Sequence, residues 1–322
     1  MTRLIDTLLL LALPASGKSE VRRYLAHLSP EQARQDFHLG ETVQLDDYPY
    51  VHMMRRVSQE LRALGQPPVF FANDEDPMLE PRDWGMLIEL LNEDHEDLLQ
   101  RRRHRPAGAA SWLLDRYDAA RSRVGAKPAF VSLPPAVRAR LQDALEREAA
   151  ELLESKNAGI PETLQGRTVV IEFARGGRQG ATMPLPAPFG YRYSLSRLSP
   201  QILQRASILY IWVTPEESRR KNAERADPNN PGSILHHGVP MRVMLEDYGC
   251  DDMEWLISQS DRPGTVRIEA HGQTFYLPVA RFDNRQDKTT FVRADRSAWR
   301  QQDVAALHAG LKEALDRLVA TL

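Results

Sequence analysis

The residues best suited to chemistry stand near the start of the chain, directly after an apolar run over residues 8–13. They are Pro14, Ala15, Ser16, Gly17, Lys18 and Ser19, followed by Glu20. In a phosphate-binding loop, backbone N–H groups surround the polyphosphate, a lysine contacts the β- and γ-phosphates, and a Ser or Thr hydroxyl binds Mg²⁺. We therefore predict that residues 14–20 bind a nucleoside triphosphate, ATP or GTP, with Mg²⁺. Lys18 is the predicted catalytic lysine, and Ser19 is a predicted metal ligand.

The same segment has a second interpretation, a secretory signal, because Arg3 precedes the apolar run. We favour the loop, since Asp6 lies where a signal is positively charged and the apolar run is short for a signal core. A strand buried on both faces of a sheet is expected to be apolar throughout.

Carboxylates end two further apolar runs. The run over residues 41–45 stops at Asp46 and Asp47, and the run over residues 168–171 stops at Glu172. Either aspartate could accept a proton from a substrate hydroxyl or orient a water on Mg²⁺. Because neighbouring strand residues point to opposite sides, we expect only one of the two to face the phosphates, the other having a capping or turn role. Asp46 and Glu172 join Ser19 as predicted metal ligands.

Basic and polar side chains follow the later strand-like runs, and they suggest contacts to phosphate and substrate. The predicted substrate contacts are Arg175, Arg178, Tyr191 and Arg192. Arg219 and Arg225 share one face of a predicted helix and are catalytic candidates that could reach a triphosphate, in a lid near residues 216–240. Asn284, just after the last predicted strand, is a candidate contact to the nucleotide base. Surface turns and an ordinary charged helix are the competing interpretations.

Apolar runs alternate with helix-like segments, and this pattern predicts an α/β fold with a mostly parallel sheet covered by helices on both faces. Two more strands are predicted at residues 206–213 and 274–282. Pro278 in the second run indicates an edge position or a late start of pairing. Ligands of such sheets gather at the carboxyl ends of the strands, where the loop, Asp46, Asp47 and Glu172 would meet.

We predict three segments along the chain. Residues 1–73 form the first part of the core, residues 74–165 a helical insertion, and residues 166–322 the second part of the core. The insertion has predicted helices at 81–103 and 134–156. Its basic run at 101–105 is interpreted as a solvated helix end. A stripe of leucines between residues 304 and 318 predicts a C-terminal helix that docks on the sheet.

Composition gives little indication of a partner. The 322 residues have a net charge of −2, which provides no general attraction to nucleic acid or to an anionic membrane. Cys250 is the single cysteine, so no internal disulfide is possible, and no apolar run approaches the length of a membrane span. We expect a cytoplasmic protein with a small-molecule or nucleotide acceptor as its partner, and neither a membrane nor a nucleic acid.

The chain resembles the P-loop kinases of nucleotides, nucleosides and other small molecules. The loop at 12–19, the acidic strand end at 45–47 and the arginine-rich stretch at 219–225 are similar to features of that family. The resemblance implies a sheet order of 2-3-1-4-5, with Lys18, one aspartate of the 46/47 pair and the lid arginines as the catalytic set. Ala12 and Ala15 stand where that family commonly has glycine, and alanine resists positive φ.

Two functional classes stay open. The first is a kinase that transfers the γ-phosphate to a small molecule, nucleoside or nucleotide. The second is an ATPase or GTPase switch whose segment 74–165 binds a protein partner. Two aspartates before Tyr48 and Pro49 favour the kinase. A third hypothesis, a kinase of nucleic-acid 5′ ends that uses residues 101–105, predicts binding that weakens steeply with salt.

Overall fold

The computed structural model describes residues 3–225 and 238–322, without the side chain of Arg225. The predicted α/β class is confirmed, because strands and helices alternate around one mixed, mostly parallel sheet. Its strands are β1 (Thr7–Leu11), β2 (Glu41–Asp46), β3 (Arg167–Phe173), β4 (Ala206–Trp212), β5 (Thr265–Ala270) and β6 (Gln273–Asp283). The helices are α1 (Lys18–Ala26), α2 (Pro30–Phe37), α3 (Tyr48–Ala63), α4 (Asp83–Gln100), α5 (Ala109–Arg123), α6 (Pro135–Ala158), α7 (Gly190–Arg197), α8 (Pro200–Leu203), α9 (Pro215–Arg225), α10 (Met241–Glu246), α11 (Met253–Gln259) and α12 (Gln301–Thr321).

The sheet has the order β2-β3-β1-β4-β6-β5. All neighbours are parallel except β5 and β6, which are antiparallel. The five-strand order 2-3-1-4-5 implied by the resemblance therefore omitted β5, the edge strand next to β6. β5 and β6 are joined by His271 and Gly272, both with positive φ, as a two-residue hairpin turn requires. Pro278 does not lie in an edge strand. Pairing of β6 with β4 starts at Val279, one residue later, so the missing N–H of proline disturbs no bond to β4.

Helices cover both faces of the sheet, because strands such as β1 carry apolar side chains on both sides. Leu9 and Leu11 point into one apolar cluster with residues of α4, α7 and α11. Leu8 and Leu10 point into a second cluster with α1, α2 and α12. A strand buried on both sides reads as a continuous apolar run, which is the pattern at residues 8–11. The leucine stripe of α12 packs against the sheet, as predicted from its spacing.

A third apolar cluster lies among helices α3, α4, α5 and α6. The predicted helices at 81–103 and 134–156 correspond to α4 and α6, whereas α5 was not predicted. Helix α4 belongs to two clusters at once: Leu90 packs among the helices, and Leu91 packs under the sheet. The division of the chain at residues 74 and 165 stays a prediction. Among the described residues, no helix is both long and apolar enough to cross a membrane.

Candidate functional site

The loop between β1 and α1 has the backbone shape of an anion site. Gly17 is the N-cap of α1 with φ of 110°, and Lys18 is the first residue of the helix. A Cβ at position 17 would lie 2.6 Å from Thr289 Oγ1 and 2.9 Å from Asn284 Nδ2, so only glycine fits here. The first N–H groups of a helix lack intrahelical partners and attract anions. The loop and α1 thus present donors at the end of β1.

The two alanines of the loop differ in their backbone conformation. Ala15 has φ of 57°, so it does adopt the left-handed conformation that alanine resists. Ala12 is not among the residues with positive φ. Glycine is therefore not required at position 12, and the strain expected from alanine is confined to position 15.

Three separate elements hold successive carbonyl groups of the loop. Tyr191 in α7 donates its hydroxyl to Ala12 O at 2.9 Å. Ser218 in α9 donates to Pro14 O at 2.7 Å, and Asn284 after β6 donates from Nδ2 to Ser16 O at 2.8 Å. Tyr191, Ser218 and Asn284 are fully buried. The loop is thereby fixed in place before any ligand binds.

These contacts correct two predictions. Tyr191 was expected to contact the substrate and Asn284 the nucleotide base, but both side chains are buried against the loop. The Asn284 amide is fully engaged, because Oδ1 accepts the Lys288 N–H at 2.6 Å while Nδ2 donates to Ser16. Both residues instead hold the loop in place through hydrogen bonds to its carbonyl groups.

Asp46 and Glu172 face each other across β2 and β3, where they occupy paired register positions. Arg22 of α1 bridges them: its Nη1 lies 2.9 Å from Asp46 Oδ2 and 2.8 Å from Glu172 Oε2. Burial raises the pKa of both carboxyls. The charge of Asp47 raises the Asp46 pKa further and the charge of Asp46 raises that of Glu172, whereas Arg22 lowers both. Asp46 and Glu172 therefore share Arg22 as their cation in a poorly solvated part of the protein.

Asp47 lies beside this pair and lines the same pocket as Asp46. The expectation that only one aspartate would face the phosphates assumed an extended strand through both residues, whereas β2 ends at Asp46 and Asp47 already has helical backbone angles. Strand alternation does not apply past that point. Arg175 Nη1 holds Asp47 Oδ2 at 2.6 Å, and burial raises the Asp47 pKa while Arg175 lowers it.

One pocket brings the loop and the carboxylates together. Pro14, Ala15, Lys18 and Ser19 line it together with Asp46, Asp47 and Glu172. We call the rest of this pocket the acceptor chamber. Its lining residues are Tyr48, Val51, His52, Arg55, Phe71, Trp84, Phe173, Ala174, Val239, Val243, Asp247 and Tyr248. Lys18 Nζ donates to Ala12 O at 3.4 Å, so the lysine lies along the loop.

The chamber was missed by sequence reasoning. One signal was available: Tyr48, Val51 and Arg55 recur at the spacing of one helix face directly after the two aspartates. Phe71, Trp84 and Tyr248 come from remote parts of the chain. No local pattern could have joined them.

Several predicted site residues lie elsewhere. Glu20 pairs with Arg293 at 2.6 Å and is buried, so it ties α1 to the segment after β6. Arg178 is exposed beside Glu246, and Arg192 lies over the Trp255 ring. None of the three lines the pocket at the loop. The exposure of Arg178 is typical of a surface turn, and the contact of Arg192 with Trp255 is typical of surface packing.

Three other predicted residues, Arg175, Arg219 and Ser16, also do not line the pocket. Arg175 is buried and contacts Asp47, so it does not extend into the chamber. Arg219 pairs with Glu216 at 3.1 Å and does not line the pocket. The side chain of Arg225 and most of the predicted lid, residues 226–237, lie outside the described residues. Ser16 is buried, with its hydroxyl 3.4 Å from Pro14 O.

The oxygen-bearing side chains of the pocket suit Mg²⁺ only if phosphate oxygens and waters supply most of its ligands. Among residues 3–225 and 238–322, no group of three or more His, Cys, Asp or Glu side chains is arranged to hold a metal ion. Ser19 lines the pocket with Asp46 and Glu172 nearby. Mg²⁺ commonly keeps several waters and takes further ligands from phosphate oxygens. The site therefore fits an ion that arrives with a nucleotide, with Ser19 as the direct protein ligand.

Sequence comparisons give no family for the chain. No protein-family model matches it, and a search of curated proteins finds no significantly similar relative. What the site can do therefore follows from the residues of this chain and their geometry.

Proposed function

We propose that this chain is a P-loop phosphotransferase that moves the γ-phosphate of ATP or GTP to a small acceptor molecule. The observation that supports this most strongly is the meeting of Lys18 with Asp46, Asp47 and Glu172 in one pocket at the start of α1. A helix N-terminus and a lysine attract phosphate, whereas carboxylates serve proton transfer and Mg²⁺. Together they fit phosphoryl transfer better than phosphate binding alone.

On this proposal the triphosphate lies along residues 14–19, and the N–H groups of the loop face its oxygens. Lys18 contacts the β- and γ-phosphates. Ser19 would hold Mg²⁺ directly, and Asp46 and Glu172 would act through its waters. When bound, the ion neutralises charge on the phosphate oxygens.

In the transfer step, an acceptor hydroxyl oxygen forms a bond to the γ-phosphorus while the bond from that phosphorus to the β–γ bridging oxygen breaks. The nucleoside diphosphate leaves with the electron pair, and the hydroxyl proton passes to a carboxylate. We assign this proton to Asp47, because it lines the pocket with Lys18, whereas Asp46 and Glu172 are both bridged by Arg22 and are assigned to the waters of Mg²⁺. Arg175, held 2.6 Å from Asp47, is a positioning residue.

A nucleotide-driven ATPase or GTPase switch is the competing function. It needs a residue that positions water and a surface for a protein partner, for which residues 74–165 are the predicted segment. The acceptor chamber favours transfer, because a concave space with aromatic walls suits an organic acceptor better than a single water.

The first test is binding. Thermal unfolding is followed with and without Mg²⁺-ATP and Mg²⁺-GTP for the native chain, for Lys18→Ala, and for Lys312→Ala as an exposed lysine control. Ligand at about 100 times its Kd stabilises the native state by about 2.7 kcal/mol. We expect that shift in the native chain and in Lys312→Ala but not in Lys18→Ala. No shift at millimolar nucleotide, or an equal shift in Lys18→Ala, would refute the proposal.

The second test separates transfer from hydrolysis. The native chain is incubated with Mg²⁺-ATP alone, and formation of ADP is measured. A phosphotransferase with an unfilled acceptor site is expected to form ADP slowly. Steady turnover with water as the sole acceptor would instead favour the ATPase.

A further inference from the structure

Arg22 reaches the carboxylates of the pocket from a second cavity. Arg22 does not line the pocket at the loop, whereas it does line a neighbouring cavity of about 310 Å³. Asp46 borders both spaces. Arg22 follows Ser19 by three residues in α1, and residues at this spacing share one face of a helix. Helix α1 therefore directs a hydroxyl and a guanidinium toward the same strand ends.

One nitrogen of Arg22 serves two carboxylates. Its Nη1 donates to Asp46 Oδ2 at 2.9 Å and to Glu172 Oε2 at 2.8 Å. The other oxygen of Asp46, Oδ1, accepts the Tyr48 N–H at 2.9 Å. Both oxygens of Asp46 are thus engaged within the protein, and the carboxylate pair has its cation before any ion or nucleotide binds.

Without Arg22 the same place would suit a divalent metal ion. Two carboxylates at neighbouring strand ends, with the Ser19 hydroxyl in the same pocket, are the oxygen ligands that Mg²⁺ and Mn²⁺ prefer. The affinity of such a site depends on how much negative charge its ligands carry. Arg22 offsets one of the two negative charges of Asp46 and Glu172, and Lys18 lines the same pocket. A free ion therefore finds little net charge there.

The other charged groups of the pocket do not restore an anionic site. Asp47 is paired with Arg175 at 2.6 Å. His52, Arg55 and Asp247 line the acceptor chamber, where two potential cations stand against one carboxyl group. Arg22 is therefore the residue whose removal would expose uncompensated carboxylate charge beside the phosphate loop.

We propose that Arg22 is a built-in cation that keeps free divalent ions off Asp46 and Glu172, so that Mg²⁺ enters the pocket only as its nucleotide complex. The inference rests on the proposed phosphotransferase function and assigns Arg22 as a positioning residue of its metal site. A guanidinium is always charged and cannot leave the chain. A nucleotide brings phosphate oxygens as ligands, so its Mg²⁺ needs only Ser19 and waters in addition.

The test uses Mn²⁺ without nucleotide as the probe, and electron paramagnetic resonance measures the free ion. We expect Arg22→Gln to bind one Mn²⁺ per chain, at least about tenfold more tightly than the native chain does. Arg22→Lys keeps the charge and should bind Mn²⁺ as weakly as the native chain. Arg23→Gln is the matched control, because Arg23 donates to Arg293 O instead, and it should behave as the native chain. A purely structural role of Arg22 would create no metal site.

A double variant locates the ion. Arg22→Gln combined with Glu172→Gln lacks one of the two carboxylates and should lose the gain in Mn²⁺ affinity. A gain that persists in the double variant overturns the inference, as does equal affinity of the native chain and Arg22→Gln. If circular dichroism shows that Arg22→Gln is unfolded, millimolar Mg²⁺ should restore its fold, because an ion that binds the folded state stabilises it. A chain that stays unfolded in Mg²⁺ overturns the inference as well.

Thermal unfolding of the native chain with Mg²⁺-ATP separates this inference from the proposed function. If Mg²⁺-ATP stabilises the native chain but free Mn²⁺ binds it as tightly as it binds Arg22→Gln, only the inference fails. If Mg²⁺-ATP does not bind while Arg22→Gln alone gains the Mn²⁺ site, the phosphotransferase proposal fails and the exclusion of free metal ions by Arg22 stands.

Discussion

At the residue scale, Arg22 is the cation that lets Asp46 and Glu172 lie together in the lining of the pocket. Its Nη1 contacts both carboxylates within 3 Å, and its side chain is 27% exposed. Removal of one partner from a buried ion pair is strongly destabilising, because the remaining charge has no compensation. We expect Arg22→Gln to lower the free energy of unfolding by about 2 kcal/mol in urea denaturation at pH 8.

The pH dependence of that loss follows from the pKa shifts. The folded-state pKa values of Asp46 and Glu172 are raised by burial, so the folded chain binds more protons than the unfolded chain and loses stability as pH rises. Without Arg22 both values rise further, so the deficit should be smaller at pH 5. Arg317→Gln, at an exposed ion pair of α12, is the control and should cost less than about 0.5 kcal/mol. A deficit that does not change between pH 5 and pH 8 would contradict this account of Arg22.

Asp247 gives a second pH prediction, which is independent of any ligand. Burial raises its pKa to about 7, with Glu246 adding to the effect and Arg55 opposing it. The folded state therefore holds a proton between about pH 4 and pH 7 that the unfolded state has released, and stability falls across that window. Asp247→Asn removes the titration. Its free energy of unfolding should fall less than that of the native chain from pH 5 to pH 8, by about 2 kcal/mol.

Chemical denaturation at four or five pH values measures this difference. Asp83 and Asp251, whose pKa values burial also raises to about 7, titrate in both proteins and cancel. Parallel pH profiles for the native chain and Asp247→Asn would mean that Asp247 is ionised in the folded protein. That outcome would contradict the pKa that burial raises to about 7.

At the element scale, the loop and the start of α1 give a matched pair of substitutions. Ala15 and Gly17 both have positive φ, but Ala15 already carries a Cβ, whereas a Cβ at Gly17 would have neighbours within 3 Å. Gly17→Ala must displace Thr289 or Asn284, so it should cost at least about 2 kcal/mol in urea denaturation. Ala15→Gly relieves left-handed strain and adds chain entropy to the unfolded state, and the two effects nearly cancel.

We therefore expect Ala15→Gly to change stability by less than about 1 kcal/mol in either direction. A larger loss for Ala15→Gly than for Gly17→Ala would show that the loop backbone in solution differs from the geometry described here. Hydrogen exchange of the α1 amides gives a second measurement, because Gly17→Ala should also release Ser16 from Asn284.

The same elements show what sequence patterns could predict. The strands at the loop and at the acidic residues were found, because parallel strands buried on both faces are apolar runs with sharp ends. The hairpin of β5 and β6 was missed, although His271-Gly272 is a turn signal, because β5 alternates polar and apolar residues in a short run. Helix α5 was missed between the two longer helices that surround it. Side-chain partners were the weakest point, since Tyr191 and Asn284 bind carbonyl groups far away in sequence.

For the candidate site, the sequence indicated which residues come together only where suitable side chains lie at the end of a strand or the start of a helix. Lys18, Ser19, Asp46, Asp47 and Glu172 all line one pocket, and each lies at the start of α1 or at the carboxyl end of β2 or β3. Arg178 and Arg192 were named for their charge alone, and they do not line that pocket. The charge of a side chain predicts a site residue poorly when no helix or strand end positions it, because most arginines form ion pairs on the surface.

At the scale of the whole molecule, α4 connects the helical cluster to the sheet. Leu90 and Leu91 are adjacent and fully buried, but Leu90 packs with α3, α5 and α6 whereas Leu91 packs against the sheet. A chain of 322 residues need not unfold in one step. Because one rigid helix supplies core residues to both clusters, we expect a single cooperative transition. Leu90→Ala and Leu91→Ala should each lower the free energy of unfolding by about 3 kcal/mol.

Calorimetry combined with hydrogen exchange tests this expectation. In a single cooperative unit, Leu90→Ala speeds the slowest exchange in β3 as much as in α6, and Leu91→Ala does the same. Leu79→Ala, at a side chain that is 50% exposed, is the control and should change neither region. If the two parts were separate folding units, Leu90→Ala would affect α6 alone and calorimetry would show two transitions. Residues 74–165 would then behave as an insertion with its own stability, and nucleotide binding at the loop would stabilise only the sheet. A single transition that shifts as a whole with Mg²⁺-ATP would instead mean that the acceptor chamber, built from both parts, is coupled to the phosphate loop through the fold itself.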